Sequence, residues 1–153
     1  MPTITVSKQF ESSPETAYDT VSDFPNAANF VDGIIKVEML TPGPVAVGTR
    51  VRETRIMMGR EATEEMEVTI MDRPNLFVAE AFSHGTQYVT SYTIEPSGAG
   101  TNVTLEFKAT PKTFMAKVLA ALFSRMISTV ADLMEKDLIQ ASIEAKRRAQ
   151  GES

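Results

Sequence analysis

The hydrophobic and polar positions of this chain follow two rhythms, alternation in twos over most of its length and a helical period at its C-terminal end. Residues 111–149 contain no Gly or Pro beyond the first, and Thr110 and Pro111 supply an N-cap and a residue suited to the first helical position. On a wheel of about 100° per residue, Met115, Leu119, Leu122, Phe123, Met126, Val130, Leu133 and Met134 share one broad face. Lys117, Arg125, Ser128, Asp132 and Glu135 lie opposite, and Lys146, Arg147 and Arg148 suit the negative end of the helix dipole. The pattern predicts one long helix laid on a core.

The remainder predicts mostly strands. Thr3–Phe10 alternates, with Ile4, Val6 and Phe10 on one side. Ser13, Pro14 and Glu15 give an N-cap, a proline at the first helical position and an acid in the first turn of a short helix carrying Ala17, Tyr18 and Val21. Punctuation at Asp23-Phe24-Pro25-Asn26 precedes a second short helix over Ala27–Phe30. Strands are then expected at 34–40, 49–58, 61–71, 76–83, 86–95 and 102–109, separated by Gly, Pro and Asn turn signals. Such short connections favour an antiparallel meander, because parallel strands need long crossovers.

Along 61–71, Ala62, Met66, Val68 and Ile70 point one way, and Glu61, Thr63, Glu65, Glu67 and Thr69 the other; Glu64 shares the phase of Met66. Residues 49–58 have no clean face: Val51, Glu53, Arg55 and Met57 alternate with Arg52, Thr54, Ile56 and Met58, so their inward phase stays open. An inward Glu53 or Arg55 is costly unless paired.

Length and composition narrow the classes. A chain of 153 residues with 42% hydrophobic and 23% charged residues fits one globular domain over 1–153. The absence of cysteine removes disulfides, thiol nucleophiles and thiolate metal sites, and a single histidine makes a zinc site improbable. No metal and no cofactor are expected. A net charge of -5 argues against nucleic acid. The opening residues lack the basic and apolar regions of a signal peptide, and the apolar run 114–127 is broken by Lys117 and Arg125, so a cytoplasmic protein without a membrane span is expected.

The order of a strand, two short helices, a six-strand meander and a long helix resembles the α+β helix-grip fold of the START-like, or SRPBCC, superfamily, in its polyketide cyclase/dehydratase-like branch. The likeness rests on Ser13-Pro14-Glu15, Ser22-Asp23-Phe24-Pro25, Val47-Gly48-Thr49-Arg50-Val51 and the run from Gly98 through Thr101 and Val103 to Leu105. It implies a curved antiparallel sheet of about seven strands wrapped around the C-terminal helix, with an apolar cavity between them for a hydrophobic small molecule. These motifs are structural and say little about chemistry.

Independently of that likeness, nine methionines suit irregular apolar space, with Met57 or Met58, Met66, Met115, Met126 and Met134 as inward candidates. The residues expected to touch a ligand are Met66, Val68, Phe82, Tyr88, Thr90, Tyr92, Phe107, Met115, Leu119, Leu122, Met126 and Val130. Proton transfer falls to Glu64, Tyr88 or Tyr92, or to Glu53 if its strand turns that way. His84, beside Gly85 in a predicted hairpin turn, reads as a solvated turn residue, and Asp19 and Asp23 read as solvent or cap residues. No nucleophile–base–acid constellation stands out.

Ligand binding without chemistry is therefore the leading reading, a cyclase/dehydratase- or aromatase-like enzyme the second, and a dimerising interaction protein the third. The last arises because a helix over 111–149 would be about 58 Å long, against about 38 Å for a compact domain of this length. Such a helix must break, overhang or pack on another molecule. Phe114, Ile139 and Ile143 on its polar side offer a surface for a homodimer; the alternative is that 114–127 curls as a cap ahead of a straighter helix from about Ser124.

Overall fold

A computed structural model describes residues 3–57, 59–122 and 124–151. Strand β1 (Thr3–Phe10) leads into helix α1 (Pro14–Val21), whose first turn is closed by Ser13: its hydroxyl accepts from the Thr16 N–H at 3.1 Å. A single 3-10 turn at Phe24–Asn26 and helix α2 (Ala27–Phe30) follow. Six strands then run as a meander: β2 (Ile34–Met39), β3 (Arg50–Met57), β4 (Arg60–Asp72), β5 (Leu76–Ser83), β6 (Thr86–Ser97) and β7 (Gly100–Pro111). Helix α3 (Phe114–Leu122), a 3-10 turn at Ser124–Met126 and helix α4 (Ile127–Gly151) complete the chain.

The seven strands form one antiparallel sheet in the order β1-β7-β6-β5-β4-β3-β2. The sheet curves around α4 in the helix-grip arrangement. Its core joins Phe10, Val68, Phe77, Ile94 and Val103 of the sheet to Tyr18 of α1 and to Leu138, Ala141 and Ala145 of α4. The last three recur at helical spacing, so α4 lays one stripe on the sheet.

Three expectations are corrected. The C-terminal helix does not begin at Thr110 and Pro111. These residues extend β7, opposite Gln87 and Thr86, and the missing N–H of Pro111 is tolerated there because it is the last residue of its strand. Thr113 caps instead, its hydroxyl accepting from the Ala116 N–H at 3.1 Å. Nor is the helix continuous: the 3-10 turn at Ser124–Met126 separates α3 from α4, which at about 38 Å matches the span of the domain. The break occurs where the sequence allowed a cap to end and a straighter helix to start. Third, Ile70 is 44% exposed, because the register of β4 against β5 shifts between Val68 and Ile70 and puts Met71 against the core in its place.

The tip between β5 and β6 is fixed by backbone conformation. His84 and Gly85 both have positive φ (52° and 79°), which suits a two-residue hairpin whose twist matches its strands. A side chain at Gly85 would collide with Thr113, and the Gly85 carbonyl accepts from the Lys112 N–H at 2.7 Å. This pins the start of α3 to the hairpin.

Candidate functional site

Between the inner face of the sheet and α4 lies a cavity of about 370 Å³, within the size range of small-molecule sites. Small side chains at inward positions create it. Ala62 on β4, Ala79 and Ala81 on β5 and Ala141 on α4 leave the sheet and helix apart where larger residues would fill the gap. Phe24 and Phe30, from the segment containing α2, wall one side. Aromatic rings wall another: Tyr88 stacks on Phe107 with centroids 5.6 Å apart, and Tyr92 leans on Phe77 at 6.3 Å.

Alternation decides which residues reach this space. Phe77, Ala79 and Ala81 of β5 point inward opposite Tyr92, Thr90 and Tyr88 of β6. Met66, Tyr88, Thr90, Tyr92, Phe107 and Val130 all line the cavity, as do Glu64, Met57 and Met134. Phe82 does not: one residue out of phase with Ala81, it pairs with Gln87 on the outer face and is 65% exposed. Val68 is buried in the core rather than on the cavity wall. Met115 and Leu119 lie on α3, which is displaced from the cavity by the break before α4, and both are exposed. Met126, in the 3-10 turn, is half-buried but is not part of the wall. Met58 and the side chain of Leu122 lie outside the described residues.

The open phase of β3 closes with Glu53, Arg55 and Met57 inward. Arg55 Nη2 donates to Asp137 Oδ2 of α4 at 2.6 Å, both side chains being largely shielded from water. Burial pushes the Asp137 carboxyl up, opposed by the charge and hydrogen bond of Arg55. Burial likewise raises Glu53; Arg55 pulls it down, while Asp137 and Glu64 push it further up. Glu64 sits directly across the ladder from Glu53 and is also raised by burial, with His84 opposing. Tyr92 is partly buried on the cavity wall, and burial, then the charges of Asp137 and Glu53, drive its phenol well above the ordinary tyrosine range. Tyr88 is raised by burial and then by Glu64.

A family model described as polyketide cyclase / dehydrase and lipid transport matches residues 1–138. The chain belongs to that family. Among solved structures it resembles TTHA0849 from Thermus thermophilus with a TM-score of 0.80 at 16% identity, over 97% of this chain and 99% of that one. A START superfamily protein from Mycobacterium smegmatis gives 0.69 at 14% identity, over 99% of both chains. The di-domain ARO/CYC BexL gives 0.74 at 18% identity, over 95% of this chain and 50% of that one. At such identities the likeness establishes the fold alone. Comparison with curated proteins yields no match.

For this family member the sequence pattern had not marked Asp137. It lies on the inward stripe of α4 with Val130 and Met134, and an acid interrupting an apolar stripe is the signal that would have found it. Asp23, expected in solvent, lines the cavity and pairs with Arg148 at 2.6 Å, whereas Asp19 pairs with exposed Arg73. His84 is exposed in its turn. Among the described residues no group of three or more His, Cys, Asp or Glu is placed to hold a metal, and no helix is long and apolar enough to cross a membrane.

Proposed function

We propose that this chain binds a hydrophobic small molecule in the cavity between β3–β7 and α4. The single observation that carries the reading is the cavity itself: about 370 Å³ walled mainly by aromatic, Met, Ala and other apolar side chains, with Asp23, Glu53, Arg55, Glu64 and Asp137 as its charged groups. Met57, Met66 and Met134 give its wall the adaptability that irregular apolar ligands need. Titration with the neutral fluorophore N-phenylnaphthylamine should show saturable binding, and Ala81→Phe, which fills the space from β5, should weaken it by about tenfold or more. Absence of saturable binding, or affinity unchanged in the filled variant, would overturn the reading.

A cyclase/dehydratase-like reaction is the second reading, favoured by one observation: an inward Glu53 beside Arg55 and Tyr92 in apolar surroundings. A carboxylate raised by burial is suited to taking a proton next to a carbonyl, and a guanidinium to holding the developing enolate. Glu53→Gln should then abolish turnover of a ketide-like substrate while leaving its binding intact. Glu64→Gln, Tyr88→Phe and Tyr92→Phe test the other three candidates in the same assay, and unchanged turnover in all four variants would exclude these roles.

A further inference from the structure

The charges inside the cavity do not balance. Among the described residues its one inward guanidinium, Arg55, is engaged through Nη2 by Asp137 at 2.6 Å, and its buried Nε has no partner. Asp23, at another edge of the wall, is engaged by Arg148 at 2.6 Å. That leaves Glu53 and Glu64. They face each other across the β3–β4 ladder on the cavity side, and among the described residues neither accepts a hydrogen bond nor forms an ion pair. Like charges directly opposite on a sheet are unfavourable, and more so where water is excluded. Exposed His84 bears on Glu64 only from the outer turn.

A second observation points to an occupant of the same place. Tyr92, partly buried, lines the cavity within electrostatic reach of Glu53, and among the described residues its phenol has no hydrogen-bond partner. A phenol that faces the cavity can both donate to and accept from an occupant. Unpaired carboxylates, an unpaired phenol oxygen and the faces of Tyr88, Tyr92 and Phe107 are together complementary to an ammonium group, which has three donors and favours aromatic faces. A carboxylic acid would meet the opposite conditions among the described residues: two unpaired carboxylates, and a guanidinium already held by Asp137 with only its buried Nε left over.

We infer that the ligand is an apolar molecule carrying a protonated amine, seated at Glu53 and Glu64 and hydrogen-bonded to Tyr92. This rests on the cavity-binding reading above. The cation takes the role of the missing counter-charge, so its binding favours the ionised carboxylates and expels any proton they hold. Arg55, Asp137, Tyr88 and His84 are the other titratable groups facing this position.

The test compares decylamine, decanol and decanoic acid as competitors of N-phenylnaphthylamine, with wild type and with Glu53→Gln/Glu64→Gln. Expected is a preference for decylamine over decanol of about tenfold or more, with decanoic acid weakest. The preference should persist in high salt, rise as pH rises through the carboxylate range, and vanish in the double variant. That variant loses a like-charge pair and is expected to fold. Decanoic acid binding as well as decylamine, or an amine preference that survives the double substitution, would overturn the inference while leaving the cavity reading intact. So would displacement by none of the three when the fluorophore binds. Failure of the fluorophore itself would overturn both.

Discussion

Helix α4 carries two arginine–carboxylate clusters about two turns apart. At the first, Asp137 holds Arg55 of β3 at 2.6 Å beside the cavity, with Glu53 close by. At the second, Glu144 accepts from Arg147 at 2.8 and 2.7 Å and from Arg148 at 2.8 Å, while Arg148 continues to Asp23 after α1 at 2.6 Å and lies over the Phe30 ring. Residue types are the same in both, yet their acids shift in opposite directions. Glu144 is held down to about 2, first by the Arg147 hydrogen bond, whereas Glu53, Glu64 and Asp137 are pushed up by burial. The difference lies first in burial, which outweighs even the Arg55 partner of Asp137, and then in the count of partners. Among the described residues two guanidiniums meet two carboxylates at the second cluster, but one guanidinium meets Asp137, Glu53 and Glu64 at the first. An even count ties elements together; an uneven count leaves charge waiting for a partner.

Removing the single cation should separate the two clusters most. Arg55→Met leaves Asp137 and Glu53 without a counter-charge and should cost about 3–5 kcal/mol in urea unfolding, since breaking a buried pair strands its partner. Arg55→Met/Asp137→Leu should recover most of that loss, because an apolar replacement of both members relieves the stranded charge. A double variant as unstable as the single one would mean that the pair itself stabilises the fold.

At the balanced cluster, Glu144→Gln should lower stability by about 1–2 kcal/mol, the scale of charged hydrogen bonds weakened rather than stranded. Its pH signature follows from a depressed carboxyl. The contribution is fully present above the unfolded value of 4.5 and is lost as pH falls toward about 2. Thermal melts across that window should converge for wild type and variant at the acid end.

The smallest effect has the reverse sign. Glu53 is raised in the folded state, so the folded chain holds its proton longer and stability falls as pH rises above 4.5 through the folded value. Glu53→Gln should therefore slightly stabilise the ligand-free protein near neutral pH and flatten that slope. A destabilised variant would show that Glu53 is engaged rather than unpaired.

Much of the site could be read from periodicity. Tyr88, Thr90 and Tyr92 share a strand face whatever their neighbours do, and Met66 with Glu64 likewise, so these were brought together as the alternation required. Phe82 was lost by one residue of phase, because an aromatic at a strand end looks equally suited to either face. Met115 and Leu119 were lost because a helical wheel cannot register that the helix ends and restarts.

The strands, their antiparallel order, the short helices and the amphipathic C-terminal stretch were determined by sequence, since turn residues and alternation act over a few neighbours. Tertiary structure decided three things: which face of β3 turned inward, where β4 slipped its register, and where the helix broke. Each depends on partners distant in the chain. Arg55 is tolerable inside only because Asp137 of α4 meets it, 82 residues away in the sequence. Pro111 belongs to a strand only because Thr86 pairs with it. The long helix implied by the wheel thus became a wall of one cavity, and its charges became the cavity's most specific feature.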